Sequence, residues 1–363
     1  MNTNSPQLDR RAFLKTAAVA TAGITSLSAV IAASDSAAKK NIKLGIDNFA
    51  VRAMNWKAAA LLDYSASLKC DSILISDLDA FESFEDAYLK SVKAKGDELG
   101  IQIHVGTWSI CPTSKVYKNK WGNAEEHLTL GIKVAKALGS PVIRCVLGTG
   151  EDRKTPGGIE ARIADTVKVC KACRTRAVDA GVKIAVENHA GDMQSIELVG
   201  LIEQAGKDYV GANIDSGNAC WTMENPIQNL KILAPYVATT SLRDSMVWEY
   251  DHGAKVQWTA MGEGNVDQKA YFDEFARLCP GIPVHIESIS GFARDLPYLR
   301  PEFWDVWPKA RASDFAQFVR LAKTGKAIPP HKSPDAAAEQ AYQKGEIERS
   351  IKYCKEVLGL GMK

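Results

Sequence analysis

From residue 41 onward one unit recurs eight times: a short apolar run, a polar turn, then an amphipathic stretch. The apolar runs are 42–46, 72–75, 101–105, 141–147, 183–186, 209–214, 237–242 and 283–289. Short β-branched runs bounded by turn residues suit strands buried on both faces of a parallel sheet. Helical patterns follow at 58–67, 85–99, 124–138, 159–180, 196–205, 226–233, 270–278 and 314–324. Gly100, Gly139, Gly181 and Gly206 stand where helix C-caps need a left-handed residue. Eight strands, each followed by a helix, with starts about 26 to 46 residues apart, predict a (β/α)8 TIM barrel. The alternative, a doubly wound sheet, is disfavoured because Gly45-Ile46-Asp47-Asn48-Phe49 after the first strand lacks the GxGxxG phosphate loop. The barrel is assigned to 41–325 as a single domain, and 326–363 to a linker and a C-terminal helix over 335–358.

The residues before the barrel have another character. Arg10-Arg11-Ala12-Phe13-Leu14-Lys15 precedes an uncharged stretch, 16–33, that ends in small residues. This order of charged, apolar and small segments is that of an export signal. The Arg-Arg-x-Phe-Leu-Lys string resembles the twin-arginine signal. That resemblance implies a periplasmic or exported protein, with the Tat translocon as a transient partner, carried across folded and often with its cofactor loaded. Residues 1–34 are therefore set apart from the fold.

The whole chain has 45 Lys and Arg against 43 Asp and Glu. Without Arg10, Arg11, Lys15 and Asp9, 42 of each remain. A neutral chain offers no field for nucleic acid or an anionic membrane, and no second apolar run is long enough for a stable membrane span. Eight cysteines are scattered, and Cys170-x-x-Cys173 has no second pair to complete a zinc site. One or two disulfides would be compatible with export.

In a TIM barrel the chemistry sits at the C-terminal ends of the strands. Three apolar runs end there on acids: Val186-Glu187-Asn188-His189, Ile214-Asp215-Ser216-Gly217-Asn218 and His285-Ile286-Glu287. Carboxylates are costly to bury unless a cation or hydrogen bonds compensate. Converging ones call for a divalent metal. Arg144, inside the fourth apolar run, must likewise find a carboxylate partner.

These strings, together with Leu242-Arg243-Asp244 and Gly262-Glu263-Gly264-Asn265-Val266-Asp267, stand in the order found in the sugar phosphate isomerase/epimerase family. The chain thus resembles the xylose isomerase-like TIM barrels over about 41–325. The resemblance implies Mn, Mg, Co or Zn held by Glu187, Asp215 and Glu287, with Glu187 and Glu287 as the proton-transferring pair. Two positions depart from the family's pattern. Ser241 stands where a His ligand is usual, and Asn218 where Asp-x-x-His is common. His285, which shares strand parity with Glu287, is the assigned fourth ligand. His189 and His252 are the other candidates, and Arg243 is the remaining occupant.

The implied chemistry is proton transfer at a carbon next to a carbonyl, with the enediolate charge met by the metal, or by Arg243 if none binds. His104, Trp108, His189, Asn218, Arg243 and His252 are assigned to a carbohydrate substrate, and Trp108, Trp248 and Trp258 are candidate stacking platforms. The stretch 248–258 reads as a long loop covering the pocket. His127 reads as a surface histidine, 151–154 as a solvated loop, and 262–264 as a turn. Trp304 and Trp307 read as a pocket cap or a subunit contact of a homo-oligomer.

The function expected is an exported sugar isomerase or epimerase. The alternatives are a lyase or hydratase acting on 3-keto-glycosides at the same site, and a non-catalytic sugar-binding barrel. The superfamily's DNA-repair endonucleases are disfavoured, since they need several histidines for a zinc cluster and export removes their substrate.

Overall fold

The computed structural model describes residues 39–363. The segment assigned to export, 1–34, lies outside them. Eight parallel strands surround the core: β1 (Leu44–Asp47), β2 (Ser72–Ile75), β3 (Gln102–Ser109), β4 (Val142–Val146), β5 (Lys183–Glu187), β6 (Val210–Ile214), β7 (Val237–Thr240) and, after a hairpin, β10 (Val284–Ile286). Hydrogen-bonded order runs β10, then β1 through β7. A single bridge, Leu242 to Ile286, joins β7 back to β10, through Leu242 N–H to His285 O at 2.7 Å and Glu287 N–H to Leu242 O at 2.8 Å. All eight strands fall within the apolar runs or overlap them. β1, β2, β4 and β6 are buried along their whole length, with one face toward the barrel interior and one toward the helices.

The hairpin is where the sequence reading fails. Residues 248–258 are not a loop. They belong to β8 (Asp244–Tyr250) and β9 (Gly253–Thr259), which pair antiparallel and take a third strand, β11 (Ala293–Leu296). Ala254, Val256 and Trp258 alternate with Lys255, Gln257 and Thr259, a strand pattern that the polar residues at the hairpin tip mask. Trp248 is buried in this sheet rather than facing the cavity. This small sheet, with the segments after it, builds a second apolar cluster around Trp221, Val256, Trp258, Ile289 and Phe318.

Three further expectations change. The stretch 151–154 is not solvated: Asp152 and Arg153 are buried. Arg153 forms a two-pronged pair with Glu197 at 2.8 and 2.9 Å, and Trp307 lies over its guanidinium at 3.7 Å. Trp307 is therefore a structural cap on an ion pair. His127 is buried, with Nε2 2.5 Å from Thr107 Oγ1. All eight cysteines are buried and unpaired, Cys170 and Cys173 included. The helix Ala336–Glu356 packs on the 3-10 turn Asn48–Met54, where Gln343 accepts from Ala53 N–H at 2.9 Å. Among the described residues no helix is long and apolar enough to cross a membrane.

Removing one partner of a buried ion pair leaves the other charge without compensation. Glu197→Ala is expected to lower unfolding stability by about 3–5 kcal/mol, read from urea denaturation.

Candidate functional site

Four carboxylates and two guanidiniums meet at the C-terminal mouth of the barrel. Asp47, Glu187, Asp215 and Glu287 come from the ends of β1, β5, β6 and β10, and Arg144 and Arg243 from β4 and the residues after β7. All six are at most 4% exposed. Ligand-capable oxygens of Glu187, Asp215 and Glu287 lie within 4.8 Å of one another, a spacing at which one cation can be shared.

Each carboxylate already has partners. Glu187 Oε2 accepts from Arg144 Nε at 2.6 Å and Nη2 at 2.5 Å, and from Asn213 Nδ2 at 2.7 Å. Glu187 Oε1 accepts from Asn218 Nδ2 at 3.2 Å. Arg144 thus finds the carboxylate its position demanded. Gly106 lies beside it, where a Cβ would meet the Ser76 backbone before it crowded Arg144. Asp215 caps the short helix Ser216–Trp221 by accepting from Gly217 N–H at 2.8 Å and Asn218 N–H at 2.9 Å. Arg243 Nη2 donates to both Asp215 Oδ2 and Glu287 Oε2. Burial raises the carboxyl pKa values of Glu187, Asp215 and Glu287, and the facing arginines oppose that rise.

A cavity of about 530 Å³ opens above this cluster. Arg144, Asn218, Arg243, Glu287 and His189 reach it; Glu187 and Asp215 lie beneath its floor. Trp221 and Trp258 stack at 3.9 Å and 11°, with Phe292 against their edges, and Trp258 covers the Arg243 guanidinium at 4.2 Å. Trp108, Trp121 and Phe49 line the rest of the cavity. His189 Nδ1 donates to Gly148 O at 2.6 Å, which fixes the tautomer with Nε2 bare. Burial, then the charge of Arg144, lowers its pKa to about 3.

The remaining assigned residues are placed elsewhere. His285 sits a layer deeper, with Nδ1 3.2 Å from Thr240 O and its ring 4.9 Å from that of His104. It is not in the carboxylate group, so the assignment of a fourth ligand to His285 is corrected. Its side chain stops at strand level, whereas Asp215 and Arg243 stand beyond the strand ends. His104 bonds Thr239 Oγ1 at 2.8 Å and belongs to this same buried layer, not to the cavity. His252 is exposed in the β8–β9 turn, 2.9 Å from Arg300 Nη2, and is likewise absent from the lining.

Asp47 escaped the sequence reading. It accepts from Ser76 Oγ at 2.6 Å and Ser241 Oγ at 2.9 Å. Its signal was the same as for the others, an acid ending an apolar strand. Trp221 was missed too, because its helix is only a turn and a half long and carries no periodicity.

A (β/α)8 barrel with a buried acid–arginine cluster below an aromatic cavity is the class that this architecture defines. The chain belongs to the xylose isomerase-like TIM barrel family, whose sequence pattern matches residues 62–301. It is 25% identical over 253 residues to the Escherichia coli K12 protein described as uncharacterized protein YihM, covering 68% of this chain and 70% of that one. It is 20% identical over 186 residues to a 3-oxo-isoapionate decarboxylase of Pectobacterium atrosepticum, covering 51% of this chain and 60% of the relative. Among solved structures, a D-psicose 3-epimerase crystallised with D-fructose superposes with a TM-score of 0.58 at 15% identity, over 88% of this chain and all of that one. The Escherichia coli 3-keto-D-glucoside 4-epimerase YcjR superposes with a TM-score of 0.53 at 14% identity, over 74% and 98%. At these identities the likeness to the solved structures is one of fold.

His127 gives a pH prediction. Burial lowers its pKa from 6.5 to about 4. Between these values the unfolded chain binds a proton that the folded chain does not, so stability falls as pH drops through that window. The buried His104, His189 and His285 act in the same direction. The drop in thermal midpoint from pH 7 to pH 4.5 is expected to be smaller in His127→Asn than in the unaltered chain.

Proposed function

We propose that this protein is a carbohydrate isomerase or epimerase that moves a proton at a carbon next to a carbonyl, on a non-phosphorylated sugar or sugar derivative. The observation that carries the reading is Glu287. Of the three acids first assigned, it is the one that reaches the cavity. Its Oε2 is bound to Arg243, and no described residue donates to its Oε1. It shares the cavity with the Trp221–Trp258 stack, whose outer faces lie against Arg294 and Arg243. Several buried polar atoms on the lining residues have no partner: Arg243 Nε and Nη1, Asn218 Oδ1, and the indole N–H groups of Trp221 and Trp258. Buried polar groups are rarely left so, and a polyhydroxylated ligand would satisfy both the donors and the acceptor.

In this reading Glu287 removes the proton; its return to the neighbouring carbon gives an isomerisation, and delivery to the opposite face by a second carrier gives an epimerisation. Glu187 is held by Arg144 and Asn213 below the floor. It acts by fixing Arg144, which does line the cavity, rather than as the second base that family resemblance implied. The bare Nε2 of His189 is a second proton carrier within the lining. The resemblance also implies a divalent metal. The acid trio has the right spacing, but Arg243 Nη2 already bridges Asp215 Oδ2 and Glu287 Oε2, and Asn218 Nδ2 donates to Glu187 Oε1 and Asp215 Oδ2, which leaves Glu287 Oε1 as the oxygen without a described donor. The donor set offers no imidazole, since Ser241 Oγ is turned to Asp47. As arranged, these residues do not fit a divalent ion, and no step is assigned to one.

A second reading shares the first step and then expels a group β to the carbanion, as a 3-keto-glycoside lyase would. The aromatic end of the cavity at Phe49, Trp108 and Trp121 favours it by offering a surface for an aglycone. Incubation with sugars and 3-keto-glycosides in heavy water separates the two. Deuterium incorporation without aglycone release supports the isomerase or epimerase; release of the aglycone supports the lyase. Glu287→Gln is expected to slow either reaction by about 10²–10⁴-fold, the range for loss of a positioned acid–base group.

The export assignment is part of the proposal and rests on Arg10-Arg11 and the apolar stretch that follows. Replacing both arginines by lysine is expected to retain the protein in the cytoplasmic fraction, checked by periplasmic extraction and immunoblotting.

A further inference from the structure

We infer that Arg243 is the built-in cation of this site: its guanidinium takes the place of a shared divalent ion and meets the negative charge that forms on the substrate's carbonyl oxygen. The second half of this inference rests on the proton-transfer reading above; the first half does not.

Three observations place the guanidinium by design of the chain. The first is its bonding. A single nitrogen, Nη2, bridges Asp215 Oδ2 and Glu287 Oε2. A cation shared by the trio would draw on these two acids. The second is space. Gly217 lies beside the Arg243 stem, and a Cβ there would stand 2.6 Å from Arg243 Cδ and 2.9 Å from Trp258 Nε1. Any side chain at 217 would close the channel through which Arg243 enters. Trp258 then covers the guanidinium face at 4.2 Å. The third is Ser241, one residue pair earlier on the same inward side. Its short side chain bonds Asp47 Oδ2 at 2.9 Å and receives Asn213 Nδ2 at 3.2 Å. It leaves the volume at the cluster's centre to the arginine.

The open valences of Arg243 supply the chemistry. It is 3% exposed and lines the cavity, yet Nε and Nη1 have no partner within the described residues. When Glu287 takes the proton, the C–H electron pair becomes the new C=C bond and the carbonyl π pair moves to oxygen. That oxygen accepts from the free Arg243 N–H groups. A proton then returns to the neighbouring carbon in an isomerisation, or to the opposite face of the same carbon in an epimerisation; the C=C pair forms the new C–H bond and a carbonyl is restored, so no external reductant or oxidant enters. A guanidinium stays charged at all working pH values and donates in a fixed fork, which suits a preorganised oxyanion site.

The test is a metal titration of the full-length purified protein, read independently of turnover. After dialysis against EDTA, the unaltered chain is titrated calorimetrically with MnCl₂, CoCl₂ and ZnCl₂ and its metal content is measured by plasma mass spectrometry. The expected result is no saturable uptake at the cluster and unchanged sugar turnover. The double variant Ser241→His/Arg243→Ala, which restores an imidazole and removes the arginine, is expected to take up Mn²⁺ stoichiometrically. Arg243→Ala alone is expected to lower kcat by about 10²–10³-fold, with Arg243→Lys recovering part of the loss because it keeps the charge. One ion per unaltered chain, with turnover abolished by EDTA and restored by that ion, would overturn the inference. If the double variant fails to fold by circular dichroism, the titration of the unaltered chain still decides. A chain that binds no metal and turns over no sugar overturns the assigned reaction, and with it the oxyanion role, while the substitution of arginine for the ion stands.

Discussion

The charge balance at the barrel mouth governs the rest of the site. Four carboxylates converge from β1, β5, β6 and β10, and their mutual repulsion in a dry interior would prevent the strands from closing as they do. Arg144 neutralises one end of the cluster and Arg243 the other. Arg243 needs Gly217 beside its stem, whereas a Cβ at Gly106 would meet the Ser76 backbone before it crowded Arg144. Asn213 on β6, Asn218 on the helix Ser216–Trp221 and Ser241 just after β7 add hydrogen bonds to Glu187, Asp215 and Asp47. The cluster is thus a single electrostatic unit in which Gly217 and the amides are as necessary as the charges.

Around this unit the molecule divides its tasks. The barrel holds the polar floor, while the β8–β9–β11 sheet and the helix Ser216–Trp221 deliver the aromatic wall. The floor depends on strand register, which parallel pairing fixes. The wall depends on chain segments outside the barrel ladder, so its shape can vary without moving the charges. The charged groups and the aromatic wall are therefore located in different structural layers, which is the usual division between a barrel's strands and its loops.

The barrel was legible because its strands are short apolar runs at regular spacing, and β2 coincides with its run residue for residue. Glu187, Asp215 and Glu287 were legible as acids that end such runs, and Arg144 as a charge that had to find a partner. What could not be read was direction. Whether Arg243 reaches solvent, substrate or its neighbours depends on the missing Cβ of Gly217, which is distant in sequence. His127 misled because its helix is amphipathic and the histidine falls on the inner face. The β8–β9 hairpin misled because Glu249, Asp251 and His252 at its tip made the whole stretch look like a solvated loop.

The ladder between β7 and β10 has a mechanical meaning. Most neighbouring barrel strands share a continuous run of paired residues, as β4 and β5 do from Val142–Lys183 to Val146–Glu187. The β7–β10 junction has one backbone bridge, at Leu242, supplemented by the Thr240 hydroxyl, which accepts from His285 N–H at 2.9 Å and donates to Pro283 O at 3.2 Å. Ser241 and Arg243 lie on one side of that bridge and Glu287 on the other. Opening free energy is lowest where the fewest backbone bonds must break, so this is the line along which the cylinder yields most easily. A small shear there would separate the proton-carrying carboxyl from its guanidinium while leaving Glu187 and Arg144, on firmly laddered staves, in place. The two arginines of the site thus stand in unlike surroundings, one in the middle of a continuous ladder and the other beside the thinnest seam of the barrel.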